Sequence, residues 1–221
     1  MARVFDIIGP VMVGPSSSHT AGAVNIGRVA RQVLGCKPMR VDITLYGSFA
    51  KTYKGHGTDR ALVAGVLGMT TYDPRIKNAL EIAEKQGVIV NFLIEGDHHY
   101  HSNTARIDIY GSNHSTQIVG ISIGGGRISI KEIGGFEVDI SGEYHAMVCS
   151  YNEQLGMVAK VSSILASEHI NIAFMRVSRN ENRDKAIMVV EVDQPITNEV
   201  LKGINSLEAI FHVKCVEKIE L

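Results

Sequence analysis

The sequence has few cysteines, no long apolar run and almost no net charge, and each absence excludes a class of protein. Its three cysteines stand far apart, without the spacing of a metal site, and favour a reducing compartment. The apolar runs fall well short of the roughly 18–20 residues that cross a bilayer, and the first residues lack the apolar core of a signal peptide. A formal charge of −1 gives no reason to attract nucleic acid or an anionic membrane. We therefore expect a cytoplasmic protein that binds neither.

Glycine is distributed unevenly along the chain. Of 22 glycines, 20 lie within residues 1–142, and only Gly156 and Gly203 lie beyond. Such a skew indicates that two differently built segments are joined. The composition changes at residues 141–144, and we predict domains at 1–142 and 146–221. A chain of 221 residues that is 45% hydrophobic has room for a core in each.

The first domain is predicted to have an α+β fold. The helices expected from apolar spacing and caps run from about Ser18 to Leu34, from Thr58, and from the Asp73-Pro74 cap. Strand-like runs lie at residues 41–46, 88–94, 105–110, 117–123, 128–133 and 136–140. Several strands with a few helices are typical of an α+β domain.

The second domain is predicted to be a ferredoxin-like βαββαβ unit. Its strands are expected at residues 146–151, 170–178, 185–192 and 211–219, and its helices at 156–169 and after Thr197. That order of elements is the split βαβ arrangement of ferredoxin-like folds.

The stretch from Gly14 to Gly22 carries the densest set of polar side chains. Here the sequence places Ser16, Ser17, Ser18, His19 and Thr20 at the start of a helix. Hydroxyls, unpaired helix N–H groups and the positive end of the helix dipole favour an anion such as a carboxylate. The alternative is a plain helix cap, although a cap needs only one serine. Residues 14–22 contain no lysine, so they fit poorly to the phosphate-binding P-loop of nucleotide-binding proteins.

Histidines supply a second set of candidates. His56 lies between two glycines, where backbone can approach a ligand and an imidazole can take a proton near neutral pH. The alternative is a histidine in a surface turn. The tract His98-His99-Tyr100-His101 resembles a metal site, yet cysteine and carboxylate partners at ligand spacing are missing, so an exposed loop is expected.

Two loops offer weaker signals. Gly124, Gly125 and Gly126 follow a strand and could bring bare backbone to a ligand or form a tight turn, and Asn103 is a single loop amide. In the second domain, residues 152–156 join the first strand to the first helix, where free amides could hold an amino-acid carboxylate. The alternative there is that the unit only pairs with a copy of itself through its sheet edges.

Several of these stretches resemble the beta chain of the bacterial iron–sulfur L-serine dehydratases. The matching segments are residues 4–10, 14–22, 46–52, 55–59, 101–106 and 122–126. Residues 146–221 resemble an ACT domain, a small-molecule regulatory module. The resemblance implies an N-terminal α+β domain of the allosteric substrate-binding type, similar to one in some phosphoglycerate dehydrogenases, followed by the ACT domain.

The resemblance also implies a function. The family converts L-serine to pyruvate and ammonia with a [4Fe-4S] cluster, which in two-chain enzymes is bound by the alpha chain, so no metal ligand is expected here. His56 would be the catalytic base, with His19 the other candidate. The substrate would be held by Ser16, Ser17, Ser18, His19, Thr20, Asn103, Gly124 and Gly125.

For the ACT domain, the resemblance implies an amino-acid effector and homodimerisation through the sheets. The effector residues would be Glu153, Leu155, Gly156 and Asn171. Glu153 and Leu155 stand where the ACT signature usually has Asp and Pro, which weakens the case for effector binding more than that for the fold. The alternative function is a purely regulatory, amino-acid-sensing subunit without catalytic residues.

Overall fold

The computed structural model describes residues 11–95 and 101–220, and its contacts divide the chain into two compact units. The first unit extends to Gly134 and includes Glu220, and the second is Gly135–Ile219. The domain limits predicted from the sequence, 1–142 and 146–221, stay a prediction, because compact units defined by contacts do not test them. No helix within the described ranges is both long and apolar enough to cross a membrane.

The helices of the first unit follow the predicted pattern, with one addition. A π-helical turn, Ser17–Ala21, continues directly into helix α1, Gly22–Leu34. The remaining helical segments are α2 Gly47–His56, α3 Thr58–Val66, a 3-10 turn Pro74–Asn78 and α4 Ala79–Lys85. Asp73 accepts a hydrogen bond from the Arg75 amide, as its predicted role as a cap requires. Helix α2 is the addition, because the sequence indicated no helix there.

A mixed sheet supports these helices. Its strands in the first unit are β1 Arg40–Tyr46, β2 Ile89–Ile94, β3 Asn103–Tyr110, β4 Ser115–Gly124 and β5 Arg127–Ile133. They lie in the order β2-β1-β3-β4-β5, with β1 and β2 parallel and the other pairs antiparallel. Ile26 of α1 packs over Gly120 of β4, where a Cβ would come within 2.6 Å of its Cγ2. Helix α1 therefore lies directly on the centre of the sheet.

Helices α1 and α3 cross at two glycines. A Cβ on Gly27 would lie 2.3 Å from the Leu62 carbonyl oxygen, and one on Gly65 would lie 2.1 Å from the Val24 carbonyl oxygen. Any side chain would therefore hold the two backbones apart, and bare Cα–H groups approach carbonyls there instead. This close crossing ties the helix that carries the serine-rich turn to the helix that follows His56.

The second unit confirms the predicted βαββαβ order. After β6, Phe136–Ile140, its elements are β7 His145–Asn152, α5 Met157–Ser167, β8 Ile172–Arg179, β9 Lys185–Val192, α6 Asn198–Asn205 and β10 Ile210–Val216. The antiparallel sheet has the order β10-β7-β9-β8. Thr197 caps α6 by accepting a hydrogen bond from the Val200 amide. One face of the sheet packs with the two helices around Met188, Val190 and Leu165.

Candidate active site

Ser16 caps the serine-rich turn, which frees the other hydroxyls. Its Oγ accepts a hydrogen bond from the His19 amide at 3.1 Å, and its carbonyl accepts one from the Thr20 amide at 2.9 Å. Ser17 and Ser18 are half-buried, and no hydrogen bond from their side chains is found among the described residues. One serine therefore makes the cap, and two hydroxyls stand available for a ligand.

The His19 ring is held from both sides by serines. Its Nε2 lies 3.0 Å from Ser48 Oγ, and its Nδ1 lies 3.4 Å from Ser16 Oγ. Phe49 packs edge-on against the ring, with centroids 5.4 Å apart. Burial, followed by the charge of His56, lowers the pKa of His19 below its usual 6.5, so the imidazole is neutral at physiological pH. A neutral ring between hydroxyls acts as a hydrogen-bonding group rather than as a fixed cation.

His56 meets His19 from the other end of helix α2. It is the last residue of that helix, and its ring centroid lies 4.8 Å from that of His19. The Thr20 hydroxyl donates to the His56 carbonyl oxygen at 3.2 Å, which ties the helix end to the serine-rich turn. No hydrogen-bond partner for the buried His56 Nδ1 is found among the residues that the structure describes. Two imidazoles 37 positions apart in the sequence thus share one small polar region.

A cavity of about 190 Å³ adjoins His56. Its lining includes Thr20 and three cationic side chains, Lys54, Arg60 and Lys77. Cations around a cavity that also carries a hydroxyl and an imidazole favour an anionic ligand.

The chain itself caps the N-terminus of α2. The Ser48 and Phe49 amides both donate to the Ser102 carbonyl oxygen. Gly47 has a φ of 56°, and a Cβ there would lie 2.6 Å from the Ser102 Cα, so only glycine allows this approach. The first amides of α2 are therefore already hydrogen-bonded within the protein. The serine-rich turn and the cavity are the places that can bind an anionic ligand here.

Asn103 and the glycine turn lie beside the same region. A Cβ on Gly124 would lie 3.6 Å from Ser18 Oγ, which places this turn against the serine-rich turn. Asn103 Nδ2 lies 3.5 Å from the Ser122 carbonyl oxygen, and its buried Oδ1 has no hydrogen-bond partner within residues 11–95 and 101–220. For Gly125 there is open space beyond the backbone. His98 and His99 lie outside the described residues, and His101 is exposed.

In the second unit the candidate effector residues lie in two places. Gly156 precedes α5 with a φ of 84°, and Leu155 is 98% exposed. Glu153 lies beside Tyr151, whose pKa is raised to about 12 by burial and by the Glu153 carboxylate. Asn171 is engaged elsewhere, because its side-chain amide donates to Asp193 and its backbone amide to Gln194.

Comparisons with known proteins match both units. A family model described as the serine dehydratase beta chain matches residues 3–89, and one for the ACT domain matches residues 147–209. A probable L-serine dehydratase beta chain of Bacillus subtilis is 48% identical over 210 residues, covering 95% of this chain and 96% of its own. The L-serine dehydratase beta chain of Peptoniphilus asaccharolyticus is 40% identical over 216 residues, covering 96% and 97%. The chain belongs to the L-serine dehydratase beta chain family.

Membership of this family confirms the resemblance that the sequence motifs indicated. A more distant relative also matches most of the chain. A D-3-phosphoglycerate dehydrogenase of Bacillus subtilis is 25% identical over 201 residues, covering 88% of this beta chain and 37% of its own length. The α+β first unit and the ferredoxin-like second unit agree with the two family models.

The cysteines of this beta chain do not fit an iron–sulfur cluster. Such clusters take about four cysteine thiolates, whereas the second unit has only Cys149 and Cys215, and Cys36 belongs to the first. Burial raises the pKa of Cys149 to about 12, which disfavours the thiolate form that binds metals. Across residues 11–95 and 101–220, no group of three His, Cys, Asp or Glu side chains is placed to hold a metal ion.

Sequence reasoning missed Ser48 and Phe49 as site residues. Both belong to the first turn of α2, and they contact His19 only because that helix folds back towards the serine-rich turn. The sequence feature that could have identified both residues is Gly47-Ser48-Phe49, which directly follows a buried strand. There a glycine with positive φ reverses the chain into a helix.

Proposed function

We propose that this chain is the beta subunit of an L-serine ammonia-lyase, which converts L-serine to pyruvate and ammonia together with an alpha chain. Family membership supports the reaction, and the meeting of His19 and His56 over the serine-rich turn carries the proposal for this chain's part in it. A [4Fe-4S] cluster would belong to the alpha chain, because the cysteines of this chain do not fit one.

The serine-rich turn would hold the substrate carboxylate. The Ser17 and Ser18 hydroxyls make no hydrogen bond to any residue that the structure describes, Thr20 lines the cationic cavity, and Gly124 lies against Ser18. A carboxylate placed there would gain hydrogen bonds from hydroxyls and attraction from Lys54 and its neighbours. In the same proposal Gly125 and Asn103 complete the substrate contacts from the sheet side.

We assign the base to His56 and the orienting role to His19. Both ring nitrogens of His19 lie near serine hydroxyls, whereas His56 Nδ1 has no hydrogen-bond partner in the described part of the chain. A base must reach the α-proton of the substrate, so an imidazole whose hydrogen bonding is incomplete suits that role better. His19, neutral and fixed, would orient the substrate beside it.

The test is turnover by the assembled enzyme. The chain is co-purified with an alpha chain without oxygen, and pyruvate formation from L-serine is measured. His56→Ala should abolish turnover and leave assembly intact, whereas His212→Ala, an exposed histidine of the second unit, should change neither. Normal turnover by His56→Ala would remove the assignment. A loss of regulation alone in Ser17→Ala and His19→Ala would favour a purely regulatory subunit.

The ACT domain is proposed to sense an amino acid and to pair with a second copy. Glu153, Leu155, Gly156 and Asn171 would form the effector site, with free amides at the start of α5 facing the ligand carboxylate. The outer strands β8 and β10 offer edges for pairing. Cytoplasmic location is part of the same proposal.

A further inference from the structure

Asn103 carries a buried amide oxygen beside the two histidines of the candidate site. It is the first residue of β3 and forms a β-bridge with Gly47, whose neighbour Ser48 contacts His19. The Asn103 Oδ1 is buried, and no donor for it is found within residues 11–95 and 101–220. Buried acceptors in native proteins nearly always have a partner, because leaving one without a hydrogen bond is unfavourable. A donor supplied by a ligand would therefore be stabilised at this atom.

The orientation of this amide follows from its neighbour on strand β4. Asn103 Nδ2 lies 3.5 Å from the Ser122 carbonyl oxygen. A carbonyl oxygen only accepts hydrogen bonds, so the amide places its NH₂ group towards Ser122 and its oxygen away from it. The opposite orientation would set two acceptors against each other. The atom without a partner in the described part of the chain is therefore an acceptor, and it favours a ligand that donates.

Two further buried oxygens lie around the glycine turn. Ser122 Oγ and Asn25 Oδ1 belong to side chains with no exposed surface, and neither has a hydrogen-bond partner among the described residues. Asn25 uses its NH₂ group to hold the turn, donating to the Gly126 carbonyl oxygen at 2.9 Å. Unused acceptor capacity is thus concentrated on the sheet side of the candidate site.

The serine-rich turn offers the complementary groups on the other side. Ser17 and Ser18 have hydroxyls without a partner in the described ranges, and a Cβ on Gly124 would lie 3.6 Å from Ser18 Oγ. Gly124 follows Ser122 by two positions on β4, which is a distance of about 7 Å along a strand. An α-amino acid with a hydrogen bond of roughly 3 Å at each charged group bridges such a distance.

We propose that Asn103 Oδ1 accepts a hydrogen bond from the ammonium group of an α-amino acid whose carboxylate lies at the serine-rich turn. Asn103 is then a specificity-determining residue, because it favours amino acids over carboxylates that lack an ammonium group. The identity of the site rests on the proposed function. The assignment of the ammonium group to Asn103 goes beyond it, and it is measurable without turnover.

Calorimetric titration of the full chain alone tests this proposal with three small probes. L-alanine carries both charged groups, propanoate lacks the ammonium group, and ethylamine lacks the carboxylate. None of them has the hydroxyl group that the lyase reaction would eliminate. We expect L-alanine to bind most tightly, because only L-alanine meets the hydroxyl donors and the amide acceptor together.

The decisive variant is Asn103→Ala. Loss of a hydrogen bond to a charged group should weaken L-alanine binding about tenfold, whereas propanoate affinity should stay within about twofold. A merely structural role of Asn103 would weaken both probes equally. The matched control is Asn113→Ala, an exposed asparagine in the loop between the other ends of β3 and β4, which should bind all three probes as the wild type does.

A second variant keeps the test decisive if Asn103→Ala does not fold. Asn103→Asp retains an acceptor and adds a negative charge, so L-alanine affinity should be maintained while propanoate affinity falls several-fold. Absence of L-alanine binding, equal binding of L-alanine and propanoate by the wild type, or equal weakening of both probes in either variant would overturn the proposal. Because neither an alpha chain nor turnover is involved, failure here is distinguishable from failure of the lyase assay.

Discussion

The glycine crossing of α1 and α3 predicts a large effect from one methyl group. In Gly65→Ala the new Cβ would lie 2.1 Å from the Val24 carbonyl oxygen, so the helices must separate by about 1 Å to reach a tolerable contact. The atoms in conflict belong to backbone and cannot change rotamer. Overpacking of a tight core costs about 1–3 kcal/mol, and alanine regains about 1 kcal/mol of helix propensity. We expect a net loss of about 2 kcal/mol of unfolding free energy.

Thermal unfolding of the purified chain, followed by circular dichroism, measures this loss. About 2 kcal/mol corresponds to a decrease in melting temperature of roughly 4–8 °C for a chain of this size. Gly55→Ala is the matched control, because Gly55 lies in helix α2 with open space beyond its backbone. That variant should gain about 0.5–1 kcal/mol. A Gly65→Ala chain that melts with or above the wild type would refute the close crossing.

Two further predictions concern titrating groups. Burial and the charge of His56 lower the pKa of His19, so at acid pH the folded chain binds fewer protons at this ring than the unfolded chain does. The free energy of unfolding should therefore decrease as the pH falls below 6.5. In His56→Ala, NMR titration of the His19 ring should show its pKa moving up towards 6.5, and an unchanged value would contradict the contact. Burial also raises the pKa of Cys149 to about 12 and that of Cys215 to about 11. Both thiols should therefore resist iodoacetamide in the native chain and react in urea, and mass spectrometry showing rapid native alkylation would disagree.

Much of the fold was predictable because its elements bury one regular face. Helix α1 buries Ala23, Ile26 and Ala30 at helical spacing, and strand β8 exposes Phe174 and Arg176, two positions apart, on either side of the less exposed Met175. Helix α2 offers no such stripe. Only Phe49 and Ala50 are buried along its ten residues, and its start depends on the Ser102 carbonyl, 54 positions later in the chain.

The candidate site was predictable in its residues more than in its arrangement. The serine-rich turn and His56 were identified from side-chain chemistry and from the family resemblance. Their meeting depends on α2 turning back, so neither the 4.8 Å approach of the two imidazoles nor the role of Ser48 could follow from spacing.

The Ser102 carbonyl that caps α2 also leads us to expect a particular order of folding. A ten-residue helix that begins and nearly ends with glycine is too short to persist alone in water. Its cap is supplied only once β3 has paired with β1, a contact between distant parts of the chain that forms slowly. We therefore expect Ser48 and His56 to reach their native positions after β3 has paired with β1. A nascent chain that stops before residue 102 would carry every histidine of the site and yet lack the site itself.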